Sequence, residues 1–452
     1  MRLSFLALAA FLIAPTAHAD DWPQWLGPQR DGVWRENGIL GKFPEKGPKV
    51  RWRTPIGAGY AGPAIAGGKV YITDRLLDAG TANPQNPFAR NAVAGTDRIL
   101  CLDEATGNIL WKHEYPSKYE VSYASGPRAT PVVAEGKVWS LGTMGELFCL
   151  DATNGKVLWS KNFVKDFDAN VPMWGFAAHP LLDGDRLICL VGGKHVVVAF
   201  HKDTGKVLWQ ALSANEPGYC PPLIFEVGGK RQLIIWHPEA VAGLNPETGE
   251  TYWTQVWRVK AALSIPTPRL DHNQLFLTSF YNGAMMLQFK ADDPKPIVLW
   301  KGKNWKGGNG TELPQNTDGI QSIMPAPYLH DGYIYGICSH GELRCLKADT
   351  GARVWESLQL TGSQKDPNKD RWNNAFLVPQ GDRCFSLTEK GDLVICKLSP
   401  KGYEEISRAH ILDADNHMAR GRDVVWSHPA FANKCLFARN DHEIICVSLA
   451  AE

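Results

Sequence analysis

Apolar and polar positions alternate along this chain in short runs, and the runs are separated by Gly, Asn and Asp. The stretches LCLDEATGNILW (100–111), FCLDATNGKVLW (148–159) and AFHKDTGKVLW (199–209) show the pattern. Runs of roughly four to six residues with period two, rich in Val, Ile, Leu and Trp, predict half-buried strands. The Gly of each TG-type turn supplies the positive φ that a short hairpin loop needs.

The pattern recurs. Gly107/Trp111, Gly155/Trp159, Gly205/Trp209, Gly249/Trp253 and Gly351/Trp355 keep a Gly four positions before a Trp. Pro48/Trp52 and Pro296/Trp300 keep the Trp alone, and Gly402/Ile406 keeps the Gly. A spacing of roughly 50 residues marks a repeat architecture. Each unit begins with a Pro-led strand, at Pro63, Pro131, Pro180, Pro222, Pro268, Pro327, a variant at Phe376, and Pro429. Four antiparallel strands in each of eight units predict an all-β fold, an eight-bladed β-propeller. The last unit stops after its third strand, whereas Lys49 to Trp52 forms a Trp strand before any unit begins. The N-terminal strand is therefore expected to complete the last blade and close the ring, which removes two free sheet edges. The domain reading is a leader over 1–19, an irregular clasp over 20–47 and the propeller over 48–452.

Composition refines this picture. Residues 1–19 read as a cleaved signal peptide. Arg2 is followed by an apolar run from Leu3 to Ala14, too short to span a membrane, and by Ala17-His18-Ala19 as a small-x-small cleavage site. No Cys lies at the cut to carry a lipid, and no later stretch is apolar for long enough to be a transmembrane helix. An exported protein of the periplasm or cell envelope is expected. The net charge of +1 gives no electrostatic case for nucleic acid as a partner. The ten Cys form no CxxC, adjacent pair or CxxCH, so zinc, redox-motif and haem readings find no support. Cys101, Cys149, Cys345, Cys396 and Cys446 share one place in the third strand and read as small packing residues. Cys435 and Cys446 would face each other if Asn440-Asp441 were a two-residue turn, but free thiols are the expectation. The repeated Trp is expected to fill the gap between neighbouring blades.

The pattern D-x-x-T-G-x-x-x-W, which stands here at Asp103 to Trp111 and more weakly in five other units, resembles the repeat of PQQ-like (pyrroloquinoline-quinone) β-propellers. WPQWLGPQRDG with GPKVRW resembles an exported branch known mainly from planctomycete-type bacteria, which usually has Arg where Leu26 stands. The resemblance implies the fold and two kinds of function. Some PQQ-like propellers are quinoprotein alcohol or sugar dehydrogenases. One is the outer-membrane barrel-assembly lipoprotein, which binds proteins and no quinone. The dehydrogenases imply PQQ and Ca²⁺, the latter held by a Glu/Asn/Asp set, and many have adjacent cysteines beside the quinone. Here no adjacent pair exists and the calcium set maps onto no particular residues. The lipid-bearing Cys of the lipoprotein is missing too.

A site is expected on one face. Turns between first and second strands, and between third and fourth, are short throughout. The long segments all fall at the other face: Arg75 to Thr96, Lys301 to Gln321, Ser357 to Arg371 and Arg408 to Asp423. One-sided insertions in a repeat protein often mark its binding face. Residues just before the inner strands would line the channel mouth there: Tyr60, Arg128, Trp174, His179, Tyr219, Trp372, Asn373, Asn374, Trp426 and His428. His179 and His428 share a repeat position. Such a concavity suits a flat ring, a sugar or a peptide; two equivalent His are equally readable as structural groups, each donating to a neighbouring carbonyl. Asp413 to Asn416 begins like a calcium loop but lacks its later Gly and Glu, so it reads as a polar loop and no metal site is assigned. No GxSxG, HExxH or Walker sequence occurs. The leading expectation is a monomeric, non-catalytic binding or scaffold protein without cofactor, taking an envelope protein or small ligand at the long-loop face. The alternatives are a PQQ-dependent dehydrogenase and a carbohydrate- or polymer-binding propeller. Trp22, Trp25 and Trp34 are expected to lock the N-terminal segment onto the outside or an end face.

Overall fold

The computed structural model describes residues 20–302, 318–417 and 421–451. The expected leader, residues 303–317 of the insertion before the sixth unit, and 418–420 of the one before the eighth lie outside the described residues. Eight four-stranded antiparallel sheets form an eight-bladed β-propeller. Blade 1 comprises Ala64–Ala66, Lys69–Leu77, Val93–Asp103 and Ile109–Tyr119, hydrogen-bonded in that order. The other blades repeat this meander. First strands of neighbouring blades touch, Ala64–Ala66 meeting both Val132–Ala134 and Ala430–Ala432, which sets them round a central channel.

Blade 8 takes Ala430–Ala432, Cys435–Arg439 and Glu443–Ser448 from the C-terminus and Val50–Pro55 from the N-terminus. The ring closes as the sequence pattern requires. The final hairpin differs from expectation. Arg439 pairs with Ile444, and Asn440 N–H donates to Glu443 O, so the turn residues are Asp441 and His442 rather than Asn440 and Asp441. Cys435 therefore sits opposite Ser448, and Cys446 opposite Phe437. All ten cysteines are buried free thiols.

The Gly and Trp of the repeat meet between blades. A Cβ on Gly155 would lie 2.5 Å from the Trp111 ring, and Gly107 and Gly205 stand equally close to Trp52 and Trp159. The indole N–H then reaches a carbonyl of the next blade: Trp52 to Glu104, Trp111 to Ala152, Trp159 to Lys202, Trp300 to Ala348. Each Gly thus does two things: it takes positive φ for the turn, and it leaves room for the neighbour's indole. Opposite most of these Trp on the adjacent strand lies a small residue, Cys101, Cys149, Cys345 and Cys446 among them, while Trp300 meets Met286.

The segment from Asp20 to Gly47 contains isolated bridges but no strand or helix. It does not stay outside the ring. Trp22 N–H and O bridge Ile65 of blade 1, and Pro23 O accepts from Val133 of blade 2. Arg30 donates to Pro180 O and Pro222 O at the entries to blades 3 and 4. Trp34 N–H donates to Pro379 O of blade 7, and Leu40 N–H to Leu449 O beside blade 8. Trp22 and Trp34 are buried against Phe431, with Trp34 also against Phe385. The segment is a plug that visits the inner strands around the channel before the closing strand begins.

Candidate functional site

Burial of the plug leaves a cup of about 390 Å³ at the long-loop end of the channel. Its described lining comes from blade-to-blade connections, second-to-third-strand loops, the start of one inner strand and the plug residue Trp25. Of the ten residues expected at the mouth, Tyr60, Arg128, Trp174, His179, Tyr219, Trp372, Trp426 and His428 line it. Asn373 and Asn374 do not. Trp372 takes a left-handed backbone (φ 67°), rare for a bulky residue, which turns its ring to the cup while the two Asn are buried behind it. Asn374 Nδ2 donates to Trp372 O, and its backbone N–H to Glu389.

Glu389 is the buried anchor of this wall. It accepts from Trp426 Nε1 at 3.0 Å and from Arg422 Nε at 2.8 Å. Burial raises its pKa despite the guanidinium beside it.

The two histidines hold opposite tautomers. His179 Nδ1 accepts from Thr130 N–H at 2.8 Å, so its proton is on Nε2. His428 Nδ1 lies 2.7 Å from Pro429 O; a carbonyl only accepts, so this nitrogen carries the proton and Nε2 is bare. Only His428 therefore donates to a carbonyl, as the structural reading expected of both. Burial is the main cause that holds both neutral. The pKa of His428 falls to about 4, and that of His179 falls well below its usual value, helped by Arg30. Trp25 stacks on His179 with centroids 3.8 Å apart and planes 8° apart, meets His428 edge-on, and donates its indole N–H to Thr267 Oγ1. It closes the channel at this depth.

Arg128 is the one formally charged residue of the lining among the described residues. Its N–H groups go to Gly126 O, Ser122 O and Tyr123 O, and its plane sits 5.2 Å from the Tyr60 ring. It is a structural brace, with its pKa lowered by burial.

The long segments build the rim. The strands of blade 1 run on to Leu77↔Gly95, and the loop beyond carries Phe88 to within 5.3 Å of Tyr123 and 5.8 Å of Trp372. At its root Arg75 pairs with Asp97 at 2.9 Å and lies over the Tyr119 ring. Asn416, from the segment that begins like a calcium loop, donates to Asp441 at 2.7 Å and Ser125 at 3.0 Å, while Asp415 accepts from Asp441 N–H and His442. These side chains tie the loop to the turn of blade 8. Trp25, Phe88, Tyr123, Tyr281 and Phe376 line the cup and were not expected there. Trp25 stood in plain view as an indole in a polar segment.

A family model described as outer membrane protein assembly factor BamB matches residues 95–357, more than half of the chain. The chain belongs to this family. BamB-like propellers with solved structures include BamB from Moraxella catarrhalis, 14% identical with a TM-score of 0.54, matched over 89% of this chain and 99% of that one. The quinohemoprotein alcohol dehydrogenase of Comamonas testosteroni shares the fold at 12% identity and a TM-score of 0.63, over 96% and 81%. That of Pseudomonas putida HK5 does so at 11% and 0.57, over 96% and 80%. No curated protein matches the sequence. Likenesses at these identities concern the fold, so function must be argued from the cup.

The residues of the cup do not fit PQQ with Ca²⁺. PQQ carries carboxylates and the ion requires oxygen ligands, mostly anionic. Among the described residues no carboxylate lines the cup, and the one guanidinium among them is spent on carbonyls. Among the described residues no group of three or more His, Cys, Asp or Glu is placed to hold a metal ion. No helix of the described residues is long and apolar enough to cross a membrane.

Proposed function

We propose that this protein is an exported, non-catalytic binding propeller that takes a small ligand, or an apolar side chain of an envelope partner, into the aromatic cup. One observation carries the reading. The cup combines Trp, Tyr and Phe rings with two neutral imidazoles, and among the described residues none that lines it is a carboxylate, lysine or cysteine. Aromatic walls with a few fixed polar atoms hold a guest by burial and orient it. An imidazole whose pKa has fallen to about 4 is a poor general base near neutral pH. His179 Nε2–H and His428 Nε2 give a donor and an acceptor, suited to a ring-bearing guest. Export rests on the sequence of residues 1–19.

Titrating the purified protein with PQQ and Ca²⁺ tests this directly, since Trp25, Trp174, Trp372 and Trp426 report on the cup by fluorescence. The expected result is no saturable quinone signal and no dye-linked oxidation of alcohols or sugars. Saturable binding with turnover would replace this reading with the dehydrogenase. Pull-down from envelope extract should enrich a partner that Trp372→Ala and Trp426→Ala lose.

A further inference from the structure

The plug separates the cup from a second cavity, of about 400 Å³, at the short-turn end of the channel. Its walls are the plug around Arg30 and the inner strands of blades 3 to 6. Two of its guanidiniums lack an ionic partner among the described residues. Arg30 is buried and gives its Nη hydrogens to neutral acceptors: Pro180 O at 2.9 Å, Pro222 O at 3.2 Å, His179 O at 3.4 Å and Gln24 Oε1 at 3.2 Å. Arg269 donates from Nε to Pro327 O at 3.0 Å and weakly from Nη1 to Arg30 O at 3.5 Å. Its Nη2 makes no hydrogen bond to any described residue. The carboxylates that line the cavity are already engaged. Asp183 holds Arg231 and Arg186, and Asp31 holds Arg35.

A buried guanidinium held mainly on neutral acceptors is costly; Arg30 has no carboxylate beside it, and Arg269 feels only Asp31, which Arg35 already engages. Burial lowers the pKa of Arg30 to about 9 and that of Arg269 to about 10. Gly32 keeps the approach to Arg269 open, since a Cβ there would lie 3.0 Å from Nη2. A guanidinium with free, forked N–H groups matches the two oxygens of an oxoanion.

We infer that this second cavity binds a small oxoanion (a carboxylate, sulfate or phosphate group) on Arg269, with Arg30 as the second positive charge behind it. The site is independent of the cup and of what the cup holds.

The full mature chain is titrated by calorimetry with sulfate, phosphate and acetate at fixed ionic strength, with chloride as the reference; the three arms separate inorganic from carboxylate sources. At least one oxoanion should bind saturably below about 10 mM and raise the melting temperature, where chloride does not. Arg269→Gln should abolish that binding, and Arg269→Lys should weaken it about tenfold by losing the fork. Gln29 is exposed and lines the same cavity. Gln29→Glu should therefore weaken binding at least about fivefold through repulsion, with the fold intact, and it decides the matter if Arg269→Gln fails to fold. No saturable binding by any oxoanion, or native affinity in Gln29→Glu together with Arg269→Gln where that variant folds, would overturn the inference.

Discussion

At the scale of residues, the histidines give the clearest consequence. His428 has an ordinary pKa of 6.5 that burial brings to about 4 in the folded chain. The unfolded chain therefore takes up a proton at this site as pH falls below about 6.5, and the folded chain does not. Stability is lost on that descent, and the loss is complete near pH 4. A shift of this size corresponds to about 3 kcal/mol. Burial raises Asp97 to about 6 and Glu146 to about 7, and these act in the opposite sense, because the folded chain binds their protons first. The comparison must therefore be between the native protein and His428→Asn, which keeps a donor for Pro429 O. Denaturant melts from pH 7 to pH 4 should show the native protein losing about 3 kcal/mol relative to the variant. Parallel curves would mean that the imidazole is not held neutral. The sequence placed His179 and His428 at equivalent positions but could not give their tautomers, which depend on whether Thr130 N–H or Pro429 O lies beside Nδ1.

At the scale of elements, strands were legible and irregular segments were not. Alternation identifies which side of a strand is buried, and the Gly–Trp spacing identifies its blade. The final hairpin shows the limit. A slip of two residues in the pairing leaves every side chain on the same face, so the pattern of Cys435 to Ser448 is equally consistent with a turn at Asn440-Asp441 and one at Asp441-His442. The cup was legible where it follows the repeat, at Tyr60, His179, Trp426 and His428. It was illegible at Phe88, whose insertion has no counterpart in other blades, and at Asn373 and Asn374, where the left-handed backbone of Trp372 redirects the chain. The plug is the largest surprise, since nothing periodic marks a segment that follows the curvature of a ring. It buries Trp22, Leu26, Trp34 and Ile39, each a gross gain of about 1.5–3 kcal/mol less the entropy of ordering the segment. Removing residues 20–41 while keeping the closing strand should lower the melting temperature by about 5 °C or more. It should also expose His179 and His428 to solvent and so relieve their depressed pKa values, which NMR titration of the imidazoles would read. An unchanged melting temperature would mean that the plug is a passenger.

At the scale of the whole molecule, ring closure governs behaviour. Val50–Pro55 covers the outer edge of Glu443–Ser448, with Arg53 and Glu443 paired 390 positions apart in sequence. Removing residues 20–55 should bare that edge to a second chain. Light scattering after size exclusion should then show larger species than the native chain gives. A truncated protein that forms no larger species would mean that the closing strand is dispensable.

The same closure sets an order of events. In a chain made from its N-terminus, the plug and the closing strand appear first and complete their contacts last, because those contacts include blade 8. Until Ser448 arrives the ring is open, and the inner strands of blades 1 to 7 face a channel with no stopper. Bringing such distant ends together is slow. Once shut, the ring has no blade that can leave without breaking contacts with both neighbours. The finished molecule should thus owe its lifetime more to the height of the barrier against opening than to the depth of the folded state.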